Sequence, residues 1–177
     1  MTALLGRRWL CLGAAASLGG CGFQPVYMPT ASRKAGAAPR GLQSVFVGII
    51  PERPGQLLRQ ALQERFGSDS GTPSSYDLQV AFGIGGEGVG IEQNAIATRV
   101  RLTGDASWTL LAHDPKRTPL TSGSARYIDG LNVFDAQYFA ADLETEAVQQ
   151  RIAEQIAQQI TTQLAIWFRK QAAQQAG

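Results

Sequence analysis

Cysteine is almost missing from this chain, and histidine is scarcer still. The two cysteines, Cys11 and Cys21, both lie near the N-terminus, and His113 is the sole histidine. No internal disulfide framework or thiolate metal cluster can be built from that inventory. One histidine also removes most metalloenzyme and Ser-His-Asp schemes, so the composition argues against a conventional hydrolase. Charge is thin as well. Charged residues make up 17% of the chain, 16 basic against 14 acidic, for a formal net charge of +2. Arg7 and Arg8 supply two of the bases, so processing after Gly20 would leave 14 of each sign and a neutral body. A neutral body does not suit general nucleic-acid binding, and no nucleic-acid partner is expected. Nor does any segment reach the roughly 18 consecutive apolar residues of a membrane span. What is present is apolar material, 44% of 177 residues, enough for one domain with its own core.

The N-terminus has the grammar of a leader. Residues 1–8 carry two arginines and no acid, residues 9–18 (WLCLGAAASL) are apolar, and small residues follow. A basic start, a short apolar run and a small-residue cleavage site describe a secretory signal peptide. Leu18-Gly19-Gly20-Cys21 resembles a bacterial lipobox, in which small residues let an extended backbone enter a protease site and the thiol takes a diacylglycerol. The expected product begins at Cys21, bears diacylglycerol and an N-acyl chain there, and needs no other cofactor or metal. Two or three acyl chains anchor stably where one is marginal. Gly22 follows the cysteine; an Asp there would resemble an inner-membrane retention signal, and its absence favours the outer membrane.

The mature chain reads as β-α-β-β-β-α. Residues 22–40, rich in Pro, Ala, Gly and basic residues, read as a linker whose apolar head is Phe23, Val26 and Tyr27. Residues 42–50 are β-rich and stop at Pro51. Pro54 suits a first helical turn; Leu57, Leu58, Ala61, Leu62 and Phe66 recur at helical spacing, and Gly67 closes the helix. Residues 76–84 alternate apolar and polar, as do residues 95–112, with Ile96, Val100, Leu102, Ala106, Trp108 and Leu110 on one side and Arg99, Arg101, Thr103 and Asp105 on the other. Gly104 marks a bulge or a close contact. Glycine-rich residues 85–94 read as a loop between them, and residues 120–128 as a fourth strand. Last comes a long helix over residues 143–172, N-capped by Asp142. Val148, Ile152, Ile156, Ile160, Leu164 and Phe168 recur at steps of four, while Gln150, Gln155, Gln158, Gln159 and Thr162 lie opposite. That polar face suits either solvent or a polar protein surface. The expected fold is an α+β two-layer sandwich: a four-stranded, mostly antiparallel sheet with two helices on one face. The divisions are residues 1–20 (leader), 21–41 (lipidated N-terminus and linker), 42–172 (sandwich) and 173–177 (tail).

One stretch carries a family resemblance. Gly20-Cys21-Gly22-Phe23-Gln24-Pro25-Val26-Tyr27 resembles the mature N-terminus of the LptE family of lipopolysaccharide (LPS)-assembly lipoproteins; size and element order also fit. The resemblance implies a plug and assembly factor for the LptD β-barrel translocon, not an enzyme. It would be lipid-anchored at the periplasmic face of the outer membrane and would take part in LPS insertion. A near-neutral sandwich with Gln-, Ser- and Thr-rich faces suits a polar barrel lumen. The family is credited with LPS contacts through basic residues near the loop joining the second and third strands. Here that loop carries Glu87 and Glu92, so the nearest phosphate-binding candidates are Arg99, Arg101 and Arg126. Two guanidinium groups two residues apart on one strand face can grip a phosphate bidentately, although a solvated strand face is the plainer reading. Gly85, Gly86, Gly88, Gly90 and Ile91 form the candidate barrel-facing loop.

Other patterns carry less. Gly83-Ile84-Gly85-Gly86-Glu87-Gly88 satisfies G-x-G-x-x-G, but no helical periodicity follows, as a dinucleotide site requires. His113, beside Asp114 and Pro115, reads as a turn residue. A second functional reading is a lipid-binding or auxiliary lipoprotein of another envelope transporter, with an apolar pocket between helix and sheet. A peptidoglycan-acting enzyme is a weaker third.

Overall fold

The computed structural model describes residues 36–67, 73–91, 97–132 and 138–175. The elements are α1 (Ala37–Gln43), β1 (Val45–Val47), α2 (Glu52–Phe66), β2 (Tyr76–Ile91), β3 (Ala97–Ala112), β4 (Pro119–Asn132) and α3 (Tyr138–Gln175). One sheet holds the strands in the order β1-β2-β3-β4. β1 runs parallel to β2, and the other two pairings are antiparallel. The expected four-stranded α+β sandwich is therefore observed, with one helix more than expected.

Period-two burial decides which side of the sheet is covered. Leu78, Leu102, Ala106, Trp108, Leu110, Ala125 and Leu131 are buried, whereas Arg99, Arg101, Asp105, Ser107 and Arg126 on the opposite side are exposed. The cover is α3. Its 38 residues extend about 57 Å at 1.5 Å each, which matches the roughly 53 Å of a 16-residue strand. The expected row of Val148, Ile152, Ile156, Ile160, Leu164 and Phe168 is buried. Beside it Ala153, Ala157, Thr161 and Ala165 are buried as well. These small side chains let α1 and α2 pack onto α3, and the Thr161 hydroxyl is satisfied by donating to the Ala157 carbonyl at 2.7 Å. Each fully buried Leu or Ile contributes roughly 1.5–3 kcal/mol through lost apolar exposure. At the base, Tyr76, Trp167 and Phe168 form an edge-on aromatic cluster with centroids 5.0–6.2 Å apart.

Two glycines owe their place to close approach. A Cβ on Gly104 would overlap Ile152 and sit 2.9 Å from the Ile156 side chain; Gly104 is a contact point and not a bulge. A Cβ on Gly123 would meet the Trp108 ring at 2.7 Å.

Several boundaries differ from the sequence reading. Residues 37–43, expected as linker and strand start, form α1, which buries Ala38 and Leu42 against α3. Helices this short are marginal alone, so packing, not propensity, makes this one. β1 is accordingly only three residues. α2 begins at Glu52, before Pro54, with Gly67 left-handed at its C-terminus. α3 begins at Tyr138, so Asp142 lies inside the helix and does not cap it. β4 reaches Asn132. The largest correction concerns the glycines. Gly85, Gly86, Gly88, Gly90 and Ile91 are not a loop; they continue β2, paired with β3 from Gly85↔Thr103 to Ile91↔Ala97, with register shifts flanking Gly90. Glycine is a poor strand former, but the ladder to β3 supplies the missing order and Leu102 lies against Gly86. The connecting residues 92–96 lie outside the described residues, as do Cys21 and the octapeptide around it.

Candidate functional site: the open face of the sheet

The side of the sheet that no described element covers is a set of cross-strand rows. One row sets Glu87 beside Arg101 and Gly130, the next Gly85 beside Thr103 and Ile128, and the third Gly83 beside Asp105 and Arg126. Arg101 donates from Nη1 to Glu87 Oε1 at 2.9 Å, and Arg126 Nε lies 3.4 Å from Asp105 Oδ1. These pairs are about half exposed, so each contributes roughly 0.2–1 kcal/mol at most. Their larger effect is to neutralise two of the three candidate phosphate-binding arginines. Arg99, next to the register shifts of β2, has no ion pair among the described residues. Arg99 and Arg101 share a polar depression of about 580 Å³ with Val89, Ile128, Asp129 and Gly130. Asp129 is held toward the helices, its carboxylate accepting from Arg151 Nε at 2.9 Å. Arg126 stands elsewhere. Its partner Asp105 is four residues from Arg101, about 13 Å along the strand, and it lines a second depression with Ala81, Gly83 and Ser107. The structure therefore brings Arg99 and Arg101 together and leaves Arg126 apart.

A groove of about 1060 Å³ at the base of the same face had no counterpart in the sequence reading. Phe46, Ile49, Val80 and Pro115 line it, with Asp77, His113 and Arg117. His113 does sit in the β3–β4 turn, and its Nδ1 lies 3.0 Å from Asp77 Oδ1, with Arg117 Nη2 3.5 Å from Asp77 Oδ2. The outward parity of Phe46 in Val45-Phe46-Val47 was the available signal. Long-range partners such as Asp77 and His113 leave none.

The helical glutamines have a second use. Gln159 donates to the Arg126 carbonyl at 3.1 Å, and Gln163 donates to the Ser124 carbonyl at 3.0 Å while accepting from Trp108 Nε1 at 3.0 Å. Part of the polar face of α3 thus meets the β4 edge, whereas Gln150, Gln155 and Gln158 face solvent. Among the described residues no three His, Cys, Asp or Glu side chains gather into a metal site. No described helix is long and apolar enough to cross a membrane.

Known structures share this architecture. A lipoprotein structure from Caulobacter crescentus CB15 aligns with a TM-score of 0.61 at 23% identity, over 76% of this chain and 98% of the other. The rare lipoprotein B of Shewanella oneidensis aligns with 0.54 at 11% identity, over 73% and 97%. A minor lipoprotein of Acinetobacter baumannii aligns with 0.52 at 13%, over 70% and 92%. At these identities the likeness is one of fold. No curated protein matches the sequence significantly. The family profile described as LptE, lipopolysaccharide-assembly, matches residues 42–164, from the end of α1 through most of α3. With that match spanning the sheet and the helices that cover it, the chain belongs to the LptE family of lipopolysaccharide-assembly proteins.

Proposed function

We propose that this chain is an outer-membrane lipoprotein, anchored at the periplasmic face through acyl chains on Cys21. It plugs an LptD-like β-barrel, assists that barrel's assembly, and takes part in moving LPS to the outer membrane. The family match over residues 42–164 carries this reading. Three features support it: the lipobox-like Leu18-Gly19-Gly20-Cys21, the near-neutral body, and an open sheet face whose charges are largely paired. In this reading the protein acts by binding and positioning, not by catalysis. Arg99 is the leading phosphate contact, because Arg101 and Arg126 are already engaged by carboxylates. A phosphate reaching the Arg99–Arg101 depression would have to compete with Glu87 for Arg101.

The alternative of a lipid carrier with a pocket between helix and sheet gains no support. That space is filled by Leu78, Leu110, Ile152, Ile156 and Ile160, all at 0% exposure. The deciding experiment is affinity purification from membranes combined with depletion. Co-purification of a large β-barrel, with loss of surface LPS on depletion, is the expected result. Normal surface LPS and no barrel would overturn the reading.

A further inference from the structure

The groove at the base of the open face has apolar walls and a polar floor. Ile49 is 86% exposed and Phe46 50%, and both line it together with Pro115. On the floor Asp77 holds His113 through one carboxylate oxygen and Arg117 through the other. Phe46, Asp77 and Leu111 form one cross-strand row on this face. Leu111 is 8% exposed although it is no member of the main core cluster, so this end of the open face is already partly dry. Large apolar side chains that stand this far out around a concave surface mark a place where something docks.

The chain itself carries a segment of matching chemistry. Phe23 and Tyr27 are the only aromatic residues between Cys21 and Gly36, and they lie outside the described residues. Pro25 biases Gln24 toward an extended backbone. In an extended stretch Phe23, Pro25 and Tyr27 share one face over about 13 Å. Tyr27 joins an apolar ring to a hydroxyl, which suits walls of Phe46 and Pro115 above a carboxylate and an imidazole. The reach is sufficient as well. Between Gly36 and Phe46 lie the seven residues of α1 at 1.5 Å each and three further steps of up to 3.8 Å, so the two stand no more than about 22 Å apart. The nine steps from Tyr27 to Gly36 extend to about 30 Å. α1 packs on the helix side of the sheet, but β1 is the outermost strand, so the path rounds an edge and crosses no strand.

We propose that residues 23–27 dock in this groove of their own chain, with Phe23 and Tyr27 against Ile49 and Phe46 and the Tyr27 hydroxyl at the Asp77–His113 pair. Tethering favours this occupant over a free one, because an intramolecular segment meets the groove at an effective concentration on the order of millimolar. Cys21 is two residues from Phe23, about 7 Å of chain. Docking therefore keeps whatever is attached at Cys21 beside the base of the sheet. With the acyl anchor of the proposed function, it turns that base toward the membrane. The docking depends on neither acylation nor a barrel; only this orientation rests on that reading.

The test uses the full chain, expressed with its leader and purified in detergent, carrying Gln79→Cys. Gln79 lines the groove and is exposed, so the change leaves the core alone. Alkylation is followed by peptide-level mass spectrometry, so that a failure of acylation shows at position 21 and a failure of docking at position 79. The thiol at position 79 should react about tenfold or more slowly in this chain than in one that also carries Phe23→Ser and Tyr27→Ser. Phe46→Ser, on the groove side, should release the thiol to a similar rate. Joining it to the segment substitutions should add little, as two halves of one contact require. Three results would each overturn the proposal. One is an equal rate with and without the segment substitutions. Another is full additivity of the Phe46 and segment effects. The third is protection that rises with protein concentration, which would make a second copy the occupant.

Discussion

Single residues show how closely the two layers are fitted. Gly104 sits under Ile152 and Ile156, so Gly104→Ala should cost about 1–3 kcal/mol by overpacking, read as a lower urea midpoint at an unchanged m-value. That contact was legible, because a glycine inside a strongly alternating strand signals close approach or a bulge. Gln163 was not. A glutamine on a helix flank reads as solvated until the strand beneath it is known. Gln163→Ala leaves the Trp108 N–H and the Ser124 carbonyl without their partner and should cost about 1–3 kcal/mol. Trp108 is 4% exposed, so a shift in tryptophan emission should accompany the loss. Arg99 and Arg101 were correctly placed on one face by parity alone. The Glu87 partner that separates their roles comes from strand register, which the glycines conceal.

Among the elements, legibility followed side-chain contrast. β3 and the first half of β2 alternate because one face is buried, and α3 shows its steps of four for the same reason. From Gly85 onward four of the seven residues of β2 are glycine, which breaks the alternation, so its pairing is dictated by β3 and is hard to see in its own residues. α1 contains Pro39 and Gly41 and has little helical signal; a Cβ on Gly41 would overlap the Phe168 ring, so contact with α3 selects it. The two readings of this segment predict different outcomes for Leu42→Ala. As the first residue of a strand, which the sequence predicts, Leu42 would lose little on truncation. In the observed helix, where Leu42 is 2% exposed, it should cost about 2–5 kcal/mol by denaturant unfolding.

At the scale of the whole molecule, attachment and folding are separable. The described residues share one contiguous core that does not include Cys21 among its described members, so Cys21→Ala should leave the circular dichroism and unfolding midpoint unchanged while releasing the protein from the membrane fraction. Tight retention of that variant would mean that something other than acyl chains holds it. The helix that lies over the sheet follows all four strands in the chain. A polypeptide threaded amino end first therefore carries those strands with one oily side wet until α3 arrives. Truncation before Tyr138 should yield insoluble material, not a smaller fold, and the wild-type chain should depend on a holding chaperone during that interval.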